Sequence, residues 1–157
     1  MTLKQINFYN FRMLTLISLF DSHFLNLHER SVELVKNHQD AANLWRPFSS
    51  NGKSFGECIV RSVAEVEQTF NGLTTRLWDD PFEWTLPEQL ITTDRILDYF
   101  TEVEDARKKG FAFLISDEDL KRELPAPIQL KTIFTLFIET ISRAENFQGR
   151  AIVLAKI

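Results

Sequence analysis

Ile141-Ser142-Arg143-Ala144-Glu145-Asn146-Phe147-Gln148-Gly149-Arg150-Ala151-Ile152 is the stretch whose reading decides the fold. It lies in a C-terminal segment with no proline after Pro127 and one glycine, Gly149. Upstream, Leu124-Pro125-Ala126-Pro127 ends whatever precedes it, because proline lacks an N–H and disfavours helix in the residue before it. Leu130, Phe134, Phe137, Ile141, Ala144, Ala151 and Ala155 follow a three-to-four spacing, the signature of one helical face. Leu136, Thr140, Arg143 and Phe147 make an adjoining stripe. So wide a face predicts a helix from about Ile128 to the C-terminus, packed inside a bundle.

Three further long helices are expected upstream. The first spans about Phe8 to His38, with Met13, Ile17, Phe20, Phe24, Leu27, Ser31 and Leu34 at alternating spacings of four and three. It carries His23, His28 and His38, the protein's three histidines. At roughly 100° per residue these point to different faces and cannot close on one ion. Asn37 to Lys53 is a connector, with a short helical turn expected over Ala41 to Trp45 and a turn at Asn51-Gly52. Ser54-Phe55-Gly56-Glu57 has the form of a capping box and opens the second helix, Phe55 to about Leu73. Gly52-Lys53-Ser54 is no phosphate-binding loop, since Pro47 stands where the upstream glycine belongs and no strand precedes it. Trp78, Phe82 and Trp84, between Thr74 and Thr92, are expected to close one end of the bundle. Thr93 is expected to cap the third helix. Ile96, Leu97, Phe100, Val103 and Ala106 form its apolar face, with Asp94, Glu102, Asp105, Arg107 and Lys108 outside. Ser116 to Leu120 reads as a solvated connector containing a helical turn. Its Asp117-Glu118-Asp119 lacks the spaced oxygens and glycine of a calcium loop.

At 157 residues the chain is expected to form one domain over 1–157. Hydrophobic content of 44% and charged content of 25% fit a globular protein, and five glycines with five prolines argue against a turn-rich all-β fold. Fourteen phenylalanines predict an aromatic core. A net charge of −4 and no basic, aromatic-interleaved stretch argue against nucleic-acid binding. Cys58 is the lone cysteine, so no internal disulfide forms, as suits a reducing compartment. Met13 to Phe20 is short, broken by Thr15 and Ser18, and followed by no cleavage site. It reads as a core helix and not a signal peptide or membrane span. A cytoplasmic location is expected.

In the last helix, Arg143-Ala144-Glu145-Asn146-Phe147-Gln148-Gly149-Arg150 followed by Ala151-Ile152-Val153-Leu154 resembles the DinB-like superfamily. That family's helix reads His-Ala-x-x-His-Arg-Gly-Gln and then an apolar run. Lys53-Ser54 stands where the family has Trp-Ser, and Leu86-Pro87 resembles its central loop. The resemblance implies an all-α, DinB/YfiT-like four-helix bundle with long crossover connections, often a homodimer. It also implies a divalent metal on two histidines of the last helix and one of the second. Here those positions are Arg143, Phe147 and, counting from Ser54, Arg61 or Ser62. Neither arginine nor phenylalanine offers a lone pair, so no family-type metal site and no cofactor are expected.

The residues around that position are the site candidates: Arg61, Ser62, Glu65, Arg143 and Phe147. Phe147 is expected to pack in the bundle. Arg143 has two readings, a surface-reaching arginine with a packed stem or a cation that binds a small anion. Arg61 and Glu65 are spaced to pair along their helix. The function expected is a non-catalytic or small-ligand-binding member of the family. The alternative is a metal-dependent hydrolase or thiol-dependent transferase with a non-standard site, using Glu65, Glu139, Glu145 or a helix-one histidine as base.

Overall fold

The computed structural model describes residues 15–38, 43–84 and 86–156, without the Trp84 side chain. The chain is predominantly helical. Four long helices share one core: α1 (Leu16–Asn37), α2 (Phe55–Thr75), α5 (Thr93–Ala112) and α6 (Ile133–Leu154). Two one-turn helices, α3 (Pro81–Trp84) and α4 (Leu86–Gln89), lie between α2 and α5. A 3-10 helix (Asp117–Lys121) and a two-stranded antiparallel ribbon, β1 (Glu123–Pro125) with β2 (Leu130–Thr132), lie between α5 and α6.

The contacts fix the helix directions. Ser62 meets Ala144 and Thr69 meets Thr140, so α2 and α6 are antiparallel. Phe20 meets Phe134 and Leu27 meets Gln148, so α1 and α6 are parallel. Asp117, just beyond α5, meets the first turn of α1, which sets α5 against α1. The α2–α5 connection therefore joins parallel helices and must run the length of the fold.

Each long helix contributes one ring to a phenylalanine cluster at the centre: Phe24, Phe70, Phe111 and Phe137. Phe137 has the rings of Phe20, Phe24, Phe70 and Phe111 all within 5.3–5.4 Å. Gly110 lets Phe70 lie against α5, since a Cβ there would sit 2.4 Å from the ring. Trp78 lies on Gly72 in the same way, and Phe82 is buried, so these two aromatics pack on the core, while the Trp84 side chain lies outside the described residues.

Several boundaries differ from the sequence reading. Thr15 is an extended N-cap whose hydroxyl accepts the Ser18 N–H, so α1 does not run through from Phe8, and residues 1–14 lie outside the described residues. The anion at its positive end comes from afar: the Asp117 carboxylate accepts the N–H groups of Leu16 and Ile17 at 2.9 and 3.0 Å. Asp117 is thus a cap, and Leu120 beside it is buried, so this segment is no solvated connector. Ser54 caps α2 through the Glu57 N–H, but the Glu57 carboxylate pairs with Lys53 and Arg61 and does not complete a capping box. Thr92, not Thr93, caps α5. The last helix begins at Ile133 after the Thr132 cap, and Leu130–Thr132 is strand. Arg107, placed outside by the sequence reading, is buried. The turn expected over Ala41 to Trp45 is seen at Asn43–Arg46, with Ala41 and Ala42 outside the described residues.

Gly149 is exposed on α6, and a Cβ added there would meet nothing within 4 Å. Gly149→Ala should raise stability by about 0.5–1 kcal/mol, read from the midpoint of urea unfolding.

Candidate functional site

The sequence candidates all fall on the seam between α2 and α6, but they do not converge on one point. Ser62 is buried and its hydroxyl donates to the Ala144 carbonyl at 2.8 Å, beside fully buried Ala144. It serves helix packing. Further along, Thr69 and Thr140 share a hydrogen bond of 2.6 Å. Arg143 donates through Nε to Glu65 at 2.5 Å and lies 3.8 Å from Glu139. Glu139 in turn accepts from Lys131 at 2.5 Å. The expected Arg61–Glu65 pair does not form. Glu65 is taken by Arg143 across the seam, and Arg61 pairs back to Glu57 at 3.3 Å.

Arg61 also stacks on aromatic rings. Its guanidinium carbon lies 3.7 Å from the centroid of Phe82 and 5.9 Å from that of Phe147. Arg150 approaches Phe147 from its own helix at 5.7 Å. Phe147 is half-buried and has both cations within cation–π range.

The other candidate bases are also engaged. Glu145 accepts from Arg30 at 2.5 Å and lies 3.1 Å from the His23 ring nitrogen. His38 stacks on Phe55 with centroids 4.2 Å apart. Cys58 is fully buried, and burial pushes its thiol up, the opposite of what a nucleophilic cysteine needs.

A second polar group lies between α1, α2 and α5. Arg107 makes a two-pronged contact with Glu104, both bonds 2.7 Å, and reaches the Asp21 carboxylate of α1. Burial pushes the Glu104 carboxyl up, but Arg107, with His28 and Lys108, outweighs it and holds the group below the usual range. Burial, aided by Arg107 and Lys108, lowers the His28 pKa. His28, Ser31, Ser62, Glu104 and Arg107 border a cavity of about 20 Å³. That is room for about one water and far below what a metabolite fills. Fully buried Gln148 donates to the Leu27 carbonyl and the Ser31 hydroxyl, two of the residues around the cavity. The sequence carried a signal for this group: Phe100, Val103, Arg107 and Gly110 lie on one helical stripe, which places Arg107 on the buried side.

Among the described residues, no group of three or more His, Cys, Asp or Glu side chains is arranged to hold a metal ion. No helix among them is long and apolar enough to cross a membrane. No family model, curated protein or solved structure matches the chain.

Proposed function

We propose that the protein is a DinB-like four-helix bundle in which ion pairs along the α2/α6 seam stand where the family holds a metal, and that it is a non-catalytic, small-ligand-binding member. The observation that carries this is the 2.5 Å bond from Arg143 to Glu65. At the helix position of a family histidine stands a cation already neutralised by the facing helix. The second position, Phe147, and the α2 positions Arg61 and Ser62 add no nitrogen or sulfur donor. This donor set does not fit the family's metal. The helix directions and the long crossovers support the bundle topology.

A homodimer belongs to the same reading. Leu19, Phe134 and Ile138 are each 42–49% exposed and flank the α1/α6 groove next to the Phe20–Phe134 contact. Light scattering should give twice the chain mass. A cytoplasmic location, with its reducing chemistry, suits the lone free thiol of Cys58.

Turnover of thiol conjugates and small esters tests the function. The expected result is no rate above buffer. Turnover that disappears in Arg143→Ala would replace this reading with an enzyme built on a non-standard site. Arg143→Ala itself should cost no more than about 1 kcal/mol of stability, because the pair is partly solvated.

A further inference from the structure

We propose that one ordered water molecule occupies the cavity bordered by His28, Ser31, Ser62, Glu104 and Arg107, and that it hydrogen-bonds the side-chain carbonyl of Gln148. The starting point is Gln148 itself. It is 0% exposed, and among the described residues its Oε1 has no hydrogen-bond partner. A buried amide oxygen without a partner is costly, and where no protein group reaches such an atom an internal water commonly does. The amide cannot be turned round to avoid this. Its Nε2 donates to the Leu27 carbonyl at 2.9 Å and to the Ser31 hydroxyl at 2.8 Å. Exchanging N and O would set Oε1 against the Leu27 carbonyl, acceptor to acceptor.

The cavity lies beside that amide. Leu27 and Ser31, which hold Nε2, are two of its wall residues. Ser62 is a third, and it donates to the Ala144 carbonyl at 2.8 Å, one helical turn before Gln148. The volume of about 20 Å³ is enough for one water and for little more. The wall chemistry selects a neutral donor. Ser31 and Ser62 have spent their hydrogens on carbonyls and keep acceptor lone pairs. Each Glu104 oxygen takes one Arg107 N–H and can accept a further bond. The charge of Glu104 is already matched by Arg107, so no surplus is left to hold a cation. Water supplies two hydrogens to such a wall without adding charge. Placed there, it joins residues of α1, α2 and α5 to Gln148 of α6.

This inference stands apart from the functional reading. A crystal structure of the full chain at about 1.5 Å resolution, where ordered water is visible, tests it. One peak of water density is expected inside the cavity, within about 3.2 Å of Gln148 Oε1 and of Ser31, Ser62 or Glu104. A cavity without density, or density out of reach of Oε1, overturns the proposal. Stability gives a second measure that needs no crystal. Val103→Ile adds a methyl group to the same wall. The urea midpoint should fall, because the methyl group displaces the water and strands Oε1. A rise would show the cavity to be a dry apolar gap that the methyl group fills, and would overturn the proposal as well.

Discussion

Arg107→Ala is expected to destabilise the protein by about 3–5 kcal/mol in urea unfolding at neutral pH. The cause is not the loss of a favourable pair. It is the carboxylate left behind. The Glu104 side chain is 7% exposed and Arg107 supplies both of its 2.7 Å bonds. Without the guanidinium, Glu104 must stay charged in a poorly solvated place or take up a proton. Asp21, half exposed, simply returns to water. Glu104→Leu combined with Arg107→Met should recover most of the loss, since it removes both charges and keeps the volume. A loss below about 1 kcal/mol in Arg107→Ala would mean the pair is effectively at the surface.

The same group makes stability depend on pH. The Glu104 pKa is depressed in the folded protein. Its contribution is present above the unfolded value, about 4.3, and is lost as pH falls through the folded value. His28 is also lowered, so below about 6.5 the unfolded chain takes up a proton that the folded chain resists. Both effects make stability fall with falling pH. Arg107→Ala should abolish the Glu104 part, and the pH dependence of the urea midpoint reads it.

Phe137→Ala should cost about 3–5 kcal/mol. Its ring is fully buried and touches rings from α1, α2 and α5, so truncation opens a cavity where all four helices meet. Little relaxation can fill that space, because each neighbour is itself fixed by edge or tilted ring contacts. Phe113→Ala, at the end of α5 and 61% exposed, should cost under about 1 kcal/mol. Equal losses at the two positions in guanidinium unfolding would contradict the placement of the core.

These two sites show what the sequence could and could not reveal. The Phe20, Phe24, Leu27 and Ser31 stripe is plain in it, because a three-to-four spacing is a local property of a helix. So is the Ser54 cap, written within four residues. Asp117 capping a helix a hundred residues away is invisible, since an acidic run looks the same whether solvated or docked. The β1–β2 ribbon is hidden for a similar reason. Its three-residue strands contain a proline and are held by tertiary closure, including the Ile133 N–H on the Arg122 carbonyl. At the seam, helix spacing groups Arg61, Ser62, Glu65, Arg143 and Phe147 but does not give their partners. A residue at i+4 and a residue on the facing helix compete for the same carboxylate, and only packing decides that Glu65 goes to Arg143.

The ion-pair seam in place of a metal is tested most directly by metal content. Mass spectrometry of tag-free protein, before and after soaking with zinc, nickel and manganese and then dialysis, gives the number of ions per chain. The account predicts none retained near stoichiometry, because Arg143, Phe147 and Arg61 offer no lone pair, and Ser62 only a hydroxyl, at the positions where the proposed resemblance would put ligands. One ion per chain surviving dialysis would contradict it and make the metal-dependent reading the leading one.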